Sequence, residues 1–502
     1  MKSITLVNPS EGFSKALIPL GLASISAYLK KYGAIEDVRL LDSNCQDIYR
    51  EMRPTDMVGI TAVTQDMPHA MRFAEFVKRE YGVPIVLGGV HVSTTGELPP
   101  PFDIGVIGEG ERTMLELSRL GDFSPEPLRQ VKGICFRDGG RVVQTPDRDL
   151  IDPLDEIPIP DREIANMPYY LQPRTIIPYH HGRSMTMISS RGCPFRCVFC
   201  STRVHWKRFR GFSADRVIEE IELLIGKYRT EIIHIFDDLF IADRKRLALI
   251  HQAILKQRIH ERVRFMCLVR SDLLDDDTMR ILKEMNVVVT GIGMESGDDR
   301  VLRYLKRRTA TTQENRRAIE LADRWALPTM GSFMVGNPDE TEEDIRRTLA
   351  FIRSYRYSPY LSPLVYIATA FPGTDFWEWG KSRGIPVDAV DRIVMDVPDD
   401  ARKLDGAPLL TDIPRDRFFA LLRLFVDEMN YGAIKGMLYE PSFRRLVQAC
   451  LMAVRIERNP VRGIVEVAKI YSNFVSLRRA ARARALGTPA GVDPGATGAG
   501  VC

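Results

Sequence analysis

The stretch RGCPFRCVFC (residues 191–200) holds three of the eight cysteines in a chain of 502 residues. Cys193, Cys197 and Cys200 are separated by three and then two residues, a spacing at which thiolates on one loop can meet a metal centre. Structural zinc takes four ligands. The nearest spare candidates, His205 and the distant Cys267, stand at no zinc-finger spacing. Disulfide pairing would leave an odd thiol. The remaining cysteines, Cys45, Cys135, Cys267, Cys450 and Cys502, are solitary, which fits a reducing cytoplasm better than a disulfide framework.

Around this loop, from residue 185 onward, β-rich and helical runs alternate. Strands are expected at 186–190, 231–236, 263–269, 287–294, 328–335 and 363–370, and helices at 213–228, 243–257, 275–285, 312–326, 340–354 and 374–383. Six βα units are too few for a standard eight-unit barrel and predict a partial, open one. The cysteine loop follows the first of these strands, at the end where such barrels place their chemistry. Three thiolates around a four-iron cluster leave one iron open, and an open iron can bind a small molecule and pass it an electron. Position therefore favours iron–sulfur over zinc.

Upstream, short apolar strands at 4–7, 38–41, 57–63, 84–89 and 104–108 alternate with helix candidates such as 18–32 and 68–80. Continuously apolar strands belong to a parallel sheet covered on both faces. The fold class is therefore α/β, with a doubly wound, Rossmann-like domain at 1–125 whose ligand sits at the strand carboxyl ends. A hairpin, GICFRDGGRVVQTP, and a proline- and acid-rich linker fill 126–182, and the partial (β/α)6 barrel spans 183–390. An amphipathic helical region is expected at 391–483, closing the open side of the barrel, with a Gly/Ala/Pro-rich disordered tail at 484–502.

The composition, 45% hydrophobic and 27% charged with a net charge of +4, is close to balanced and does not point to nucleic acid. No apolar run approaches the roughly 20 residues that span a bilayer. The start, MKSITLVNPS, reads as a short strand and a turn, without the basic and apolar regions of a secretory signal. A cytoplasmic location is expected.

CxxxCxxC with an aromatic before the last cysteine, Phe199, resembles the radical S-adenosylmethionine enzymes, and the resemblance extends over roughly 185–385. FDDLF (236–240), GMESGDDRVL (293–302), GSFMVGNPDETEEDI (331–345) and FPGT (371–374) match strand-end patterns of that family. The resemblance implies a [4Fe-4S] cluster on Cys193, Cys197 and Cys200, and S-adenosylmethionine contacts from Phe199, Asp237, Asp238, Arg270 and Glu295. It also implies an electron donor such as flavodoxin or ferredoxin. Simpler readings stay open: Asp237 and Asp238 as helix caps, Glu295 paired with Arg270, and Gly336-Asn337-Pro338 as a turn.

Residues 1–120 resemble the cobalamin-binding domain that precedes one branch of these enzymes, through LVNP (6–9), VGITAVT (58–64), VLGGVH (86–91) and IGEGERT (107–113). The resemblance implies cobalamin contacts from Thr61, Thr64, Gly88, Gly89, Gly108 and Glu109, the glycines admitting a flat ligand close to the backbone. The D-x-H-x-x-G signature of histidine-ligated cobalamin is replaced here by Asn8-Pro9-Ser10-Glu11-Gly12-Phe13. Cobalamin without a histidine ligand is expected, with His69 and His91 as surface or supporting residues; a degenerate domain that binds no corrin stays open.

Together the two modules imply methylation of an unactivated carbon of a small-molecule or lipid substrate. The alternatives are a radical enzyme of the same architecture catalysing cyclisation, oxidation or rearrangement, and a non-catalytic redox or cobalamin sensor. A methylthiotransferase would need more N-terminal cysteines than Cys45. RVHWKRFRGF (203–212) reads either as a cap over the S-adenosylmethionine site or anionic-substrate contact, or as a solvated loop. The basic SLRRAARARA (476–485) reads as a solvated helix face, with peripheral membrane contact the lesser alternative.

Overall fold

A computed structural model describes residues 1–10, 17–33, 35, 37–177, 180–389, 392–439 and 442–485. The first sheet has seven strands, β1 (Ser3–Asn8), β2 (Asp37–Asp42), β3 (Met57–Thr61), β4 (Ile85–Gly88), β5 (Ile104–Val106), β6 (Ile134–Asp138) and β7 (Arg141–Gln144). Their order is β2-β1-β3-β4-β5-β6-β7. The first five run parallel, while β6 and β7 are antiparallel additions at one edge. The hairpin expected in the linker is thus the edge of this sheet.

Two apolar layers flank the sheet, one around Leu6, Leu22 and Met114, the other around Val7, Ile60 and Phe73, which is why β3, β4 and β5 at its centre are almost wholly apolar. The helix expected at 18–32 runs as an α-helix over Leu20–Tyr28 and widens into a π turn at Leu29–Gly33. The chain crosses over β1 on leaving β2 for β3, so the ligand edge of this domain lies at the carboxyl ends of β1, β3 and β4.

A two-stranded ribbon, β8 (Arg174–Ile177) with β9 (His180–Gly182), leads to the second sheet. Its first strand, β10 (Ser184–Met187), stops earlier than the sequence suggests. Ser190–Arg191 (β11) instead pairs antiparallel with Arg210–Gly211 (β12). Then follow β13 (Ile232–Ile235), β14 (Arg264–Val269), β15 (Val287–Glu295), β16 (Thr329–Val335) and β17 (Leu361–Ile367). The order β10-β13-β14-β15-β16-β17 is parallel throughout, with β10 and β17 at opposite edges, as in an open barrel.

Most helices of the barrel start on a side-chain cap: Asp243, Asp275, Asp298, Thr311, Thr341 and Thr374 each accept a backbone N–H of the first turn. Capping in the second unit falls to Asp243, not to Asp237 or Asp238.

The helix Arg415–Tyr439 lies along β17, where Lys435 Nζ donates to Leu361 O at 2.8 Å and Ser362 Oγ lies 3.4 Å from Gly432 O. Its last residue, Tyr439, reaches His180 of β9, ring centroids 5.9 Å apart, so the helix crosses the gap between the barrel edges. Two further helices, Phe443–Glu457 and Pro460–Ala485, pack behind it. Of the tail expected to be disordered, 486–502 lies outside the described residues, as do Glu11, Gly12 and Phe13.

Candidate active site

The cysteine loop leaves the barrel through a pinned neck. Gly192 has a left-handed φ of +83°, and a Cβ there would run into the Arg208 carbonyl. Val198 N–H donates to Leu305 O at 3.0 Å, and Val198 O accepts from Asp375 N–H at 3.0 Å, fastening the middle of the loop to two helix ends. Cys193, Cys197 and Cys200 are free, partly exposed thiols. Burial pushes Cys193 up to about 11, with the charges of Cys200, Asp238 and Cys197 acting in the same direction. Burial also raises Cys200.

Four of the five residues expected to meet S-adenosylmethionine stand around this loop. Arg270, at the end of β14, stacks its guanidinium 3.6 Å from the Phe195 ring centroid and points Nη1 at Cys197 Sγ, 3.6 Å away. Its other donors go to Asp272 Oδ1 at 2.6 Å and to Thr309 Oγ1 and O at 2.7 and 3.1 Å. Glu295 ends β15 with a left-handed φ of +58° and pairs with Lys306 at 2.8 Å, not with Arg270. Lys306 Nζ also lies 5.9 Å from the centroid of Phe199, whose ring leans on Phe376. Asp238 accepts from Thr202 Oγ1 at 2.9 Å, and desolvation of its carboxyl group, with the Asp237 charge acting in the same direction, raises its pKa.

Asp237 is a correction. It is buried, and its carboxylate accepts from Ser189 N–H, Ser189 Oγ and Ser190 Oγ, each at 2.6 Å. Both oxygens are therefore spent on holding the neck of the cysteine loop, and neither is presented to a cosubstrate.

Two cavities bear on the ligand edge of the first domain. A narrow slot of about 130 Å³ enters the sheet at the ends of β3, β4 and β5 and is lined by Thr61, Gly88, Gly89, Gly108 and apolar side chains such as Leu6 and Met114. Gly89 has φ +99°, and a Cβ there would lie 2.5 Å from Ala62 O; at Gly88 the nearest atom would be 3.9 Å away. The slot is thus kept open by missing side chains. A wider cleft of about 460 Å³ lies between the domains, lined by Thr64, Gln65 and Val90 on one side and by Ser201, Phe371 and Met395 on the other. Ser201 directly follows Cys200, so this cleft opens beside the cysteine loop.

His91 is buried with Nδ1 3.3 Å from Thr64 Oγ1, and burial lowers its pKa. His69 Nδ1 lies 2.6 Å from Arg72 Nη2.

Glu109 also departs from expectation. It borders the slot, but its oxygens are held by Arg191 Nη1 at 2.6 Å, by both Arg210 Nη atoms at 3.0 and 3.1 Å, and by Ile151 N–H at 2.8 Å. Arg191 Nη2 donates in turn to Glu111. Two arginines of the β11–β12 ribbon and two glutamates of the first domain thus form a buried, charge-balanced quartet. Burial alone would raise Glu111, but the charge and hydrogen bonds of Arg191 outweigh it and hold that carboxyl below its ordinary range. The segment 203–212 is therefore more than a solvated loop, although Lys207 and Arg208 are exposed. It straps the cysteine loop to the first domain, with Trp206 stacked over Arg191 at 5.1 Å and His205 pushed down to about 4 by burial and the Arg191 charge.

Comparison with known proteins agrees with this two-module plan. Residues 187–352 match the model of the radical SAM superfamily, and residues 13–118 that of the B12 binding domain. An uncharacterized methyltransferase of Pyrococcus horikoshii is 32% identical over 406 residues, covering 77% of this chain and 84% of that protein. The chain belongs to the radical S-adenosylmethionine superfamily, in the branch with an N-terminal B12-binding domain. An anaerobic magnesium-protoporphyrin IX monomethyl ester cyclase of Rubrivivax gelatinosus is 27% identical, over 67% of this chain and 62% of that one. Among solved structures, the cobalamin-dependent radical enzyme OxsB with aqua-cobalamin bound covers 97% of this chain and 81% of its own at 16% identity and a TM-score of 0.67. The methyltransferase TsrM from Kitasatospora setae covers 77% and 79% at 18% identity and a TM-score of 0.62.

As a member of this branch the protein is a methyltransferase-like enzyme whose cofactors are a [4Fe-4S] cluster, S-adenosylmethionine and cobalamin. The residues present fit all three. Three thiols without a fourth protein ligand are the donor set of a cubane with one open corner. Arg270, Glu295 and Lys306 bring the paired charges that a zwitterionic amino acid requires, and the glycine-walled slot admits a flat heterocycle.

Inside this radical SAM barrel, residues on alternate strand positions pack outward under the helices, as do Ile235, Val269, Phe333 and Val365. Those between them, Phe236, Leu268, Ser332, Met334, Leu364 and Tyr366, stay partly or largely exposed on the inner face. Register places Ser332 beside Gly293 and Leu364, and Met334 beside Tyr366. The floor is closed by Ile232, Met266, Val289, Met330 and Tyr439. His234, below Phe236, is held neutral by burial, its pKa pushed to about 4. Among the described residues, the inner-face positions Phe236, Leu268, Ser332, Met334, Leu364 and Tyr366 carry no charge, while Asp238, Arg270 and the Glu295–Lys306 pair stand at the strand ends. Sequence reasoning missed Lys306, Arg191 and Arg210. A basic residue immediately before the cysteine motif was the available signal for Arg191.

Proposed function

We propose that this enzyme methylates an unactivated carbon of an uncharged, largely apolar small molecule held in the barrel lumen. The observation that carries the reading is the cleft beside Ser201, where the ligand edge of the B12-binding domain faces the cysteine loop. When bound, the cluster with S-adenosylmethionine supplies a 5′-deoxyadenosyl radical, and cobalamin supplies a transferable methyl group.

The chain's own share is placement. Cys193, Cys197 and Cys200 would anchor the cluster. Glu295 and Lys306 would pair with the charged groups of S-adenosylmethionine beside Phe199 and Asp238, and Arg270 would donate to the Cys197 sulfur. Thr61, Gly88, Gly89 and Gly108 of the slot, with Thr64 and Gln65 of the cleft, would hold cobalamin. Phe236, Met334 and Tyr366 would hold the substrate and exclude water. An electron donor of flavodoxin or ferredoxin type and a reducing cytoplasm complete the setting.

The similarity to magnesium-protoporphyrin cyclases supports a second reading, radical oxidation or ring closure without methyl transfer. The test is anaerobic purification, cluster reconstitution, and incubation with S-adenosylmethionine, reductant, hydroxocobalamin and candidate apolar substrates. Deoxyadenosine together with S-adenosylhomocysteine and a product heavier by one methylene supports methylation. Deoxyadenosine with bound cobalamin but no S-adenosylhomocysteine moves the assignment to the second reading.

A further inference from the structure

The last two helices, Phe443–Glu457 and Pro460–Ala485, bury only one side of themselves. Ala449, Ala453, Val467, Ile470 and Phe474 pack against Tyr360, Tyr431 and Ile434 of the fold. Gly463 lets the two helices meet closely, since a Cβ there would lie 2.6 Å from Val454 N. A second apolar stripe on each helix faces outward: Phe443, Leu446, Val447 and Leu451 on the first, Val461, Ile464, Val465 and Tyr471 on the second. Phe443 is 86% exposed, Val461 69%, Leu451 60% and Ile464 55%. The spacing, i, i+3, i+4 and i+8 in the first set and i, i+3, i+4 and i+10 in the second, makes each set one face of a helix.

The charge of this hairpin is as distinctive as its apolar face. Residues 442–485 carry ten Lys and Arg against two Glu, a net +8, whereas the whole chain carries only +4. Both acids are engaged within the fold, Glu457 with Tyr431 Oη at 2.5 Å and Glu466 with Lys469 at 2.9 Å. A helix pair with an exposed apolar stripe bordered by arginines is built to lie in the interface of an anionic bilayer, apolar side chains in the acyl boundary and cations among the headgroups.

We propose that the hairpin Phe443–Ala485 docks this enzyme onto an anionic membrane surface. Two other occupants fit less well. An isologous contact with a second copy would set +8 against +8. The segment 486–502 has only Leu486, Val492 and Val501 to lay over eight large side chains. No helix among the described residues is long and apolar enough to cross a membrane, so the attachment is peripheral. It requires nothing of the chemistry in the barrel.

The test is cosedimentation of the full chain with vesicles of phosphatidylcholine alone or mixed with phosphatidylglycerol. Binding is expected to the mixed vesicles, to weaken with added salt, and to fall about tenfold or more in V461D/I464D, which removes two buried side chains from the interface. Circular dichroism melts show whether that variant folds; should it not, R444Q/R455Q/R458Q, which leaves every apolar contact in place, must show the same loss. Absence of binding to the mixed vesicles overturns the proposal, as does binding that neither variant changes. Sedimentation velocity revealing a dimer that V461D/I464D dissolves assigns the face to a second copy instead.

Discussion

Arg191, two residues ahead of Cys193, donates Nη1 to Glu109 Oε1 at 2.6 Å across the boundary between the two domains. Both side chains are less than a tenth exposed, as is Glu111, the second acceptor of Arg191. Because the strand that bears Arg191 continues into the cysteine loop, this guanidinium, together with that of Arg210, ties the B12-binding domain to the cysteine loop.

Replacing Arg191 by Met leaves buried Glu109 to Arg210 and buried Glu111 to the Ser24 hydroxyl, 2.8 Å away. Removing one partner of a buried ion network costs about 3–5 kcal/mol. Thermal melts should fall accordingly, and R191M/E111Q should recover part of the loss because one orphaned carboxylate is gone. An unchanged melt of R191M would show that the quartet holds nothing together.

Arg270 places a positive N–H 3.6 Å from Cys197 Sγ. Hydrogen bonds and charge near cluster sulfurs favour the reduced state. In R270M the midpoint potential of the reconstituted cluster is expected to become more negative with iron content unchanged. R270K, which keeps charge without the planar fork that also reaches Asp272 and Thr309, should fall between. Redox titration followed by electron paramagnetic resonance reads both.

The adjacent glycines of the slot should respond differently to alanine. At Gly89 the added methyl meets Ala62 O at 2.5 Å on a backbone with φ +99°, which is expected to cost about 1–3 kcal/mol of stability. At Gly88 it meets no atom closer than 3.9 Å, so G88A should melt like the parent. Its methyl projects into the slot, however, and hydroxocobalamin binding should weaken about tenfold, within the ~1–3 kcal/mol cost of overfilling a packed site. Equal cobalamin affinity in G88A and the parent would place the ligand elsewhere.

The alternation of elements was legible because parallel strands covered on both faces are apolar at their central positions, as in IVLG and MVGIT, and the cysteine spacing was legible because it is local. Long-range partners were not. Nothing near Glu109 announces Arg191, 82 residues on, and nothing in FDDLF tells which aspartate turns inward. That choice depends on Ser189 and Ser190, donors that exist only because β10 ends at Met187 and the chain bends into β11. The hairpin after β5 was recognisable as a hairpin, but its attachment to the sheet edge depends on pairing between Ile104 and Phe136 that no local pattern records.

Glu340 should give the fold a pH dependence. It sits in the turn after β16, buried, with Oε2 accepting from Gly336 N–H at 2.7 Å and from Asn337 N–H and Nδ2 at 2.9 and 3.1 Å, while Oε1 and Asn337 Oδ1 find no partner. Burial lifts its pKa from 4.5 to about 7, against those hydrogen bonds and with the Asp344 charge adding to the rise. A carboxyl that keeps its proton longer in the folded state than in the unfolded chain favours folding fully below its ordinary pKa. That contribution disappears as pH rises through about 7. The span corresponds to roughly 3 kcal/mol. Glu340→Gln keeps a neutral acceptor for the three donors and brings an amide N–H for Asn337 Oδ1, so its stability should be flat across this window. Melting of the two proteins at pH 5 and pH 8 is expected to show E340Q close to the parent at the lower pH and more stable at the higher; parallel losses at both would mean that Glu340 is already ionised in the fold and that its three donors, rather than its proton, decide its energy.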